Sequence, residues 1–108
     1  MNMDEIVQAL MDESEIDHIA LPQIASAARW DLGANTTDEA RELSLEMIRR
    51  LYQRGLRPGE YWGGDFDYWP DKGCQAVLDR IEREWIEAGE DPNLGAPICW
   101  FALRPSQA

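Results

Sequence analysis

The segment from Thr36 to Tyr61 constrains the fold most, because it carries the marks of a helix with both ends defined. Thr36 and Glu39 have the spacing of a capping box, which satisfies free backbone N–H groups at a helix start. Gly55 stands where a left-handed residue would end the helix, and Pro58 cannot continue it. We therefore predict a helix between these signals, with a positive φ at Gly55.

The apolar residues of this segment recur at helical spacing and cover about half of the helix circumference. They are Ala40, Leu43, Leu45, Met47, Ile48, Leu51 and Tyr52. A stripe this broad touches neighbours on two sides. We expect the helix to be the centre of a single domain, residues 1–108, since a chain of this length supports one core.

Three further helices are predicted from apolar periodicity and end signals. Two precede the central helix, at Met3–Met11 and Leu21–Leu32, and one follows it at Cys74–Ala88, closed by Gly89. Residues 12–14 are expected to break the first helix. Ser14 would then cap a short turn, through Ala20, that presents one narrow apolar edge.

The segment Ile98–Leu103 is an unbroken apolar run between two prolines, which favours a strand covered on both faces. A lone strand leaves backbone groups unpaired, and Gly59–Trp62 is the best partner for it. Residues 57–60 are predicted to turn, and residues 65–71 to form a loop. The predicted fold is mainly α within the α+β class, a small helical domain with a C-terminal two-stranded antiparallel ribbon.

Charge narrows the choice of partner. The chain has 21 acidic and 10 basic residues, a formal net charge of −11, and no basic residue precedes Arg29. Nucleic acids and anionic membranes are therefore unfavourable partners, because both are bound through Lys and Arg. Two interpretations remain open: the acidity serves solubility alone, or it steers a basic protein partner to this surface.

The acid–aromatic segment from Glu60 to Asp71 is the candidate partner-binding site, because exposed aromatic side chains anchor protein interfaces. The side chains of Trp62 and Trp69 are expected to point inward, and a purely structural acidic loop is the alternative. The candidate partner-binding residues are Glu60, Asp65, Phe66, Asp67, Tyr68 and Asp71.

Catalytic and metal chemistry find little support in the sequence. The spacing of Asp65, Asp67 and Asp71 suggests a calcium loop, but Pro70 occupies the required glycine position. His18 is the only histidine, and Cys74 stands at a helix start, where the dipole favours a thiolate. We expect no enzymatic activity, cofactor or metal; a small enzyme using Cys74 or carboxylates is the alternative.

The sequence favours the cytoplasm as the location of the protein. Acidic residues occupy the N-terminus where a signal peptide needs basic ones, and no apolar run approaches the roughly 20 residues of a membrane span. Cys74 and Cys99 lack metal-ligand spacing and are predicted to be reduced. An exported protein with a Cys74–Cys99 bridge is the alternative.

The motifs RLYQRGLRPGEY, RIEREW, PNLG and ICWF, in this order, carry a resemblance over the last two-thirds of the chain. Three helices followed by a ribbon resemble a winged-helix scaffold, here with an enlarged, helix-bearing wing. The elements are similar to small bacterial proteins of uncharacterised function, some of which are thought to neutralise toxins. The resemblance implies either an immunity-type antagonist of a basic protein or a DNA-binding regulator that uses the arginines of the central helix.

Overall fold

The structure, a computed structural model, describes residues 1–104. The chain forms a helical layer and one antiparallel sheet around a shared apolar core. The elements are α1 (Met3–Ser14), β1 (Ile19–Ala20), α2 (Leu21–Trp30), α3 (Thr37–Gln53), β2 (Leu56–Trp62), β3 (Asp65–Tyr68), α4 (Cys74–Ala88) and β4 (Trp100–Leu103). The α+β class is as predicted.

Helix α3 confirms the predicted central helix. Thr36 caps it, and its hydroxyl accepts a hydrogen bond from the Glu39 backbone N–H at 3.1 Å. The Glu39 carboxylate accepts from the backbone N–H of Asn35 at 2.8 Å, so the reciprocal bond reaches one residue further back than a capping box requires. Gly55 has a φ of +104°, as predicted, and the chain passes directly into β2.

The other helices agree with the sequence more closely at α4 than at α1. Helix α4 has the predicted bounds, and Gly89 ends it in the left-handed conformation. Helix α2 ends two residues before the predicted Leu32. The predicted break after Met11 is wrong, because α1 continues to Ser14, whose hydroxyl donates to the Met11 carbonyl at 2.6 Å instead of capping a second turn.

The sheet has the strand order β1-β4-β2-β3, with each neighbouring pair antiparallel. The predicted pairing of residues 98–103 with Gly59–Trp62 across α4 is correct only in part. Strand β4 pairs with residues 56–59 of β2, with Gly59 opposite Trp100, whereas residues 60–62 pair with β3. The prediction of a two-stranded ribbon was wrong in strand number, because β1 and β3 extend the sheet on either side to four strands. Ile19 and Ala20 are not the edge of a helical turn; they pair with Phe101 and Trp100.

Residues 57–60 lie within β2, so the predicted turn is wrong. Pro58 is tolerated there because its carbonyl accepts from the Trp69 N–H at 3.0 Å, on the β3 side. The nitrogen and carbonyl of one residue in an antiparallel strand point the same way. The missing N–H of Pro58 therefore faces the end of the short strand β3 and removes no bond from the β2–β4 ladder.

A two-residue turn at Gly63 and Gly64 joins β2 to β3. Their φ values are +52° and +100°, and the flanking residues Trp62 and Asp65 pair across the hairpin. Two positive φ values in succession define a type I′ turn, which matches the twist of a β-hairpin. Residues 65–68 were predicted to be a loop and instead form β3.

The inner face of the sheet lies against the helices and carries Ile19, Leu56 and Phe101, each at most 1% exposed. Trp69 is buried, as predicted, whereas the predicted inward position of the Trp62 side chain lies outside the described part of the structure. The predicted strand at residues 98–103 is only partly covered, because Trp100 is half-buried and Leu103 is exposed. Ile98 has a φ of +68°, which is not an extended conformation, so the strand begins at Trp100 and not at the predicted residue 98.

Candidate functional site: the outer face of the sheet

Four aromatic side chains lie on the face of the sheet that points away from Leu56 and Phe101. Cross-strand partners share a face, and successive residues of a strand alternate between faces. Gly59 pairs with both Trp100 and Tyr68, and Tyr61 pairs with Phe66. This register brings residues from three strands together on one surface.

The rings contact one another in a continuous cluster. The His18 ring lies 4.6 Å from that of Tyr61 and 4.9 Å from that of Phe66, measured between centroids. Tyr61 is 5.8 Å from Trp100, and Phe66 is 4.7 Å from Tyr68. These separations are typical of tilted aromatic pairs, which attract through their quadrupoles. We call His18, Tyr61, Phe66, Tyr68 and Trp100 the aromatic face.

Gly59 allows the cluster to lie flat on the sheet. A Cβ at this position would come within 2.5 Å of the Phe66 ring and of the Asp67 carbonyl oxygen. Only glycine leaves room for the ring to cover its backbone.

The aromatic face is open to solvent. Tyr61 is 40% exposed and the other four members are half-buried. A cleft of about 290 Å³ opens beside it, with Glu60, Tyr61 and Trp100 among the residues that line it. Partly exposed aromatic side chains in one contiguous patch are typical of a binding surface.

The structure divides the six predicted partner-binding residues between two faces. Phe66 and Tyr68 lie on the aromatic face, whereas Asp65 and Asp67 are exposed on the other side of the same strand. Glu60 and Asp67 are direct cross-strand partners. Like charges placed opposite each other destabilise a hairpin, so this pair does not serve folding.

Asp71 is held by groups of its own chain. Its carboxylate accepts from the Tyr52 hydroxyl at 2.7 Å, the Gly73 N–H at 3.1 Å, and Arg57 and Arg104 at 3.3 Å each. The hydrogen bond from Tyr52 is the largest cause that lowers the pKa of Asp71, and the same bond raises the pKa of Tyr52. Asp71 therefore fastens the segment after β3 to α3 and β2.

Tyr68 is also anchored. Its hydroxyl donates to the Leu103 carbonyl at 2.8 Å, and the Arg104 guanidinium lies 5.8 Å from its ring. Burial raises the pKa of Tyr68. Of the predicted aromatic contacts, Phe66 is therefore the one whose side chain has no polar anchor of its own.

Three members of the aromatic face were not predicted from the sequence. Tyr61 was placed only in a strand, Trp100 was expected to be fully buried, and His18 was assigned to a helical turn. The pair Gly63–Gly64 between two aromatic-rich runs was the available signal, since such a pair predicts a hairpin. A hairpin places Tyr61 beside Phe66, but the contact with His18 depends on β1.

The arginines near the end of α3 are engaged within the molecule. Arg50 contacts Glu46 at 3.0 Å and Asp4 at 2.6 Å, and Arg54 donates to Gln8 at 2.7 Å. Arg49 lies 3.5 Å from Glu46. These contacts join α3 to α1 and offset much of the positive charge of the helix.

Neither cysteine belongs to the aromatic face, although Cys99 directly precedes Trp100 and lines the cleft beside it. Cys74 and Cys99 are both free, and Cys99 is buried, which raises the pKa of its thiol. Among residues 1–104, no group of three or more His, Cys, Asp or Glu side chains is arranged to hold a metal ion. No helix in this range is both long and apolar enough to cross a membrane.

Comparisons of the chain with protein-family models, with curated proteins and with solved structures found no match. The function is therefore argued from the geometry of the surface itself.

Proposed function

We propose that the chain is a non-enzymatic, acidic, cytoplasmic domain that binds a basic partner protein through the β2–β3 hairpin. The observation that carries the proposal is the aromatic face, a contiguous and partly exposed cluster. The carboxylates of Asp65 and Asp67 are exposed on the opposite side of the same edge strand, β3. Aromatic anchors supply most of the free energy of protein interfaces, and charge at the rim steers the encounter. An immunity-type antagonist of a basic toxin is one form of this function.

The residues of the hairpin have different roles in the proposed binding. Tyr61 and Phe66 provide apolar contact area, and Asp65 and Asp67 attract Lys or Arg side chains of the partner. Asp71 and Tyr68 hold the hairpin in place through their hydrogen bonds to Tyr52 and Leu103. A hairpin held this way loses little conformational freedom on binding.

The winged-helix resemblance belongs to the same proposal. It is supported by the order of elements, because three helices precede the β2–β4 pair and α4 lies between the two strands. A winged-helix DNA-binding regulator is the second candidate, and the arginines of α3 favour it. DNA binding is less favoured than protein binding, because Arg50 and Arg54 contact α1 and the net charge of the chain is −11.

A charge-reversal experiment tests the proposal. The immobilised wild-type protein and the variant Asp65→Lys, Asp67→Lys are exposed to extract of the source organism, and the captured proteins are identified and quantified. The matched control is Glu82→Lys, Glu90→Lys, which changes the net charge equally at two other exposed acids. We expect the control to retain a basic partner and the hairpin variant to lose at least about tenfold in capture.

Equal capture by the hairpin variant would contradict the proposed site. A gel shift with random duplex DNA at low salt tests the second candidate, and tight binding there would replace the first. Circular dichroism and thermal melting establish that each variant is folded.

A further inference from the structure

A second surface lies on the helical half of the molecule. Trp30, at the end of α2, is 83% exposed, and Leu94, between α4 and β4, is 76% exposed. Tryptophan has the largest apolar area of any side chain, and leaving it in water forgoes the free energy of burying it. Neither residue belongs to the aromatic face.

An apolar groove of about 500 Å³ lies between α1 and α2 and reaches Leu94. Its lining includes Ile6 and Leu10 from α1 and Ala27 from α2. These three side chains are each less than 10% exposed, so they form a floor. Glu13 and Asp31 add carboxylates to the lining.

A smaller groove of about 260 Å³ continues this surface to Trp30. Both grooves are lined by Pro22 and Ser26 of α2. Pro22, Ser26 and Trp30 follow each other at intervals of four, which places them along one stripe of the helix. The two grooves and this stripe form one surface, which we call the α2 surface.

The segment that carries Leu94 is held in a defined shape. The Asn93 side chain accepts from the Gly95 N–H at 2.8 Å, and the Asn93 carbonyl accepts from the Ala96 N–H at 2.9 Å. Arg29 of α2 donates to Asp91 at 2.7 Å, which ties the start of this segment to α2. The turn therefore presents Leu94 at the groove in a preorganised position.

The charged side chains that line the larger groove, Glu13 and Asp31, are both acidic, and Arg29 in the smaller groove is paired with Asp91 at 2.7 Å. Asp12, Glu13 and Glu15 lie at the C-terminal end of α1, and the last turn of this helix contains no basic residue. Negative charge at a helix C-terminus opposes the helix dipole and lowers stability. Asp12 and Glu13 accept hydrogen bonds from the neutral side chains of Gln8 and Gln23, so neither bond offsets the negative charge. This charge, with Glu13 in the lining of the groove, complements a positively charged ligand.

We propose that the α2 surface binds an amphipathic, basic α-helix of a partner protein. Large apolar residues of this helix, recurring at i, i+4 and i+7, would enter the groove between α1 and α2 and contact Trp30 and Leu94. Its Lys and Arg side chains would face the acids at the end of α1. A second copy of this chain is a poor occupant, because two molecules of charge −11 repel each other. The inference adds a second site to the proposed function and does not depend on the hairpin.

The test uses a defined probe. A synthetic peptide of about 18 residues carries leucines at helical spacing with lysines between them. The control peptide has the same composition in scrambled order and therefore the same charge. Isothermal titration calorimetry is expected to give a Kd of about 10 μM for the patterned peptide and binding at least about tenfold weaker for the scrambled one.

Variants of the protein locate the binding. Trp30→Ser with Leu94→Ser should weaken binding of the patterned peptide at least about tenfold. The matched control is Ile86→Ser, which removes an apolar residue of 56% exposure from α4 and should leave the Kd within about twofold. The variant Asp65→Lys, Asp67→Lys should also keep peptide binding within about threefold, which separates this site from the hairpin.

Four outcomes would overturn the inference. They are equal binding of the scrambled peptide, unchanged binding to the double variant, no binding at about 1 mM peptide, and dimerisation of the wild type that the Trp30 substitution abolishes. The first assigns binding to charge alone, and the last makes a second copy the occupant of the surface. Sedimentation velocity of the wild type and of Trp30→Ser decides the last point.

Discussion

The aromatic face and the α2 surface both expose large apolar side chains, but they do so in different ways. On the aromatic face each ring lies within 6 Å of another, and Tyr61, the most exposed of its members, is 40% exposed. On the α2 surface Trp30 is 83% exposed. Rings that pack on each other contribute to folding as well as to binding, whereas a side chain left in water contributes little to folding. Stability measurements can therefore separate the two surfaces.

The largest loss of stability is expected for a substitution on the inner face of the sheet, and it is the reference for the loss expected on the aromatic face. Phe101→Ala should lower the free energy of unfolding by about 3–5 kcal/mol, because the residue is 1% exposed and its removal leaves a cavity. Trp100→Ala, at the preceding position of β4, should lower the free energy of unfolding by about 1–2 kcal/mol, since this ring is half-buried on the aromatic face. Denaturant unfolding of both variants measures the difference. Equal losses would mean that the aromatic face is as much core as the inner face.

A smaller effect is expected at the support of the hairpin. Asp71→Asn should lower the free energy of unfolding by about 1 kcal/mol, a value reduced by the 31% exposure of the Asp71 side chain. Asp67→Asn is the matched control, because its carboxylate lies exposed on β3, and it should change stability by less than about 0.5 kcal/mol. Denaturant unfolding at neutral pH gives both values. A loss at Asp67 equal to that at Asp71 would contradict the distinct role of Asp71.

The same substitution has a pH dependence that identifies its cause. The pKa of Asp71 lies below its ordinary value of 3.8, so its contribution is fully present above that pH and is lost as pH falls through the folded pKa. The pKa of Tyr52 lies above its ordinary value of 10.0, so its contribution is present below pH 10.0 and is lost as pH rises through the folded pKa. The difference between wild type and Asp71→Asn should therefore shrink at both extremes. A difference that stays constant from pH 3 to pH 11 would exclude the Tyr52–Asp71 bond as its source.

The sequence predicted the helices better than the sheet, because helix signals are local. Thr36, Gly55 and Gly89 mark ends within a few residues of the segments they close. Strand β1 has only two residues, and its partner β4 lies about 80 positions further on, so no local pattern identifies it. The turn predicted at Pro58 was wrong because the place of Pro58 in β2 depends on where β3 ends, which only the assembled sheet determines.

The candidate surfaces were predictable to different degrees. Phe66 and Tyr68 were identified from the mixture of aromatics and acids, but their separation from Asp65 and Asp67 follows from strand alternation, which the loop assignment excluded. The exposure of Trp30 has a signal in the helical periodicity, because Trp30 lies opposite the stripe formed by Ile24, Ala25 and Ala28. Its residue type favours burial, but α2 packs against α3 and β1 through the opposite stripe, which leaves Trp30 in water.

The smallest expected effect is the one that tests the comparison most directly. Trp30→Ser should change the free energy of unfolding by less than about 0.5 kcal/mol, because the ring is 83% exposed and the two residues have similar helix propensities. Tyr61→Ser should cost about 1–2 kcal/mol, because it removes ring contacts with His18 at 4.6 Å and with Trp100 at 5.8 Å. Urea unfolding followed by far-UV circular dichroism measures both without relying on tryptophan fluorescence. If Trp30→Ser destabilises the protein as much as Tyr61→Ser does, the Trp30 side chain is a structural part of α2, and its exposure then gives no reason to place a partner there.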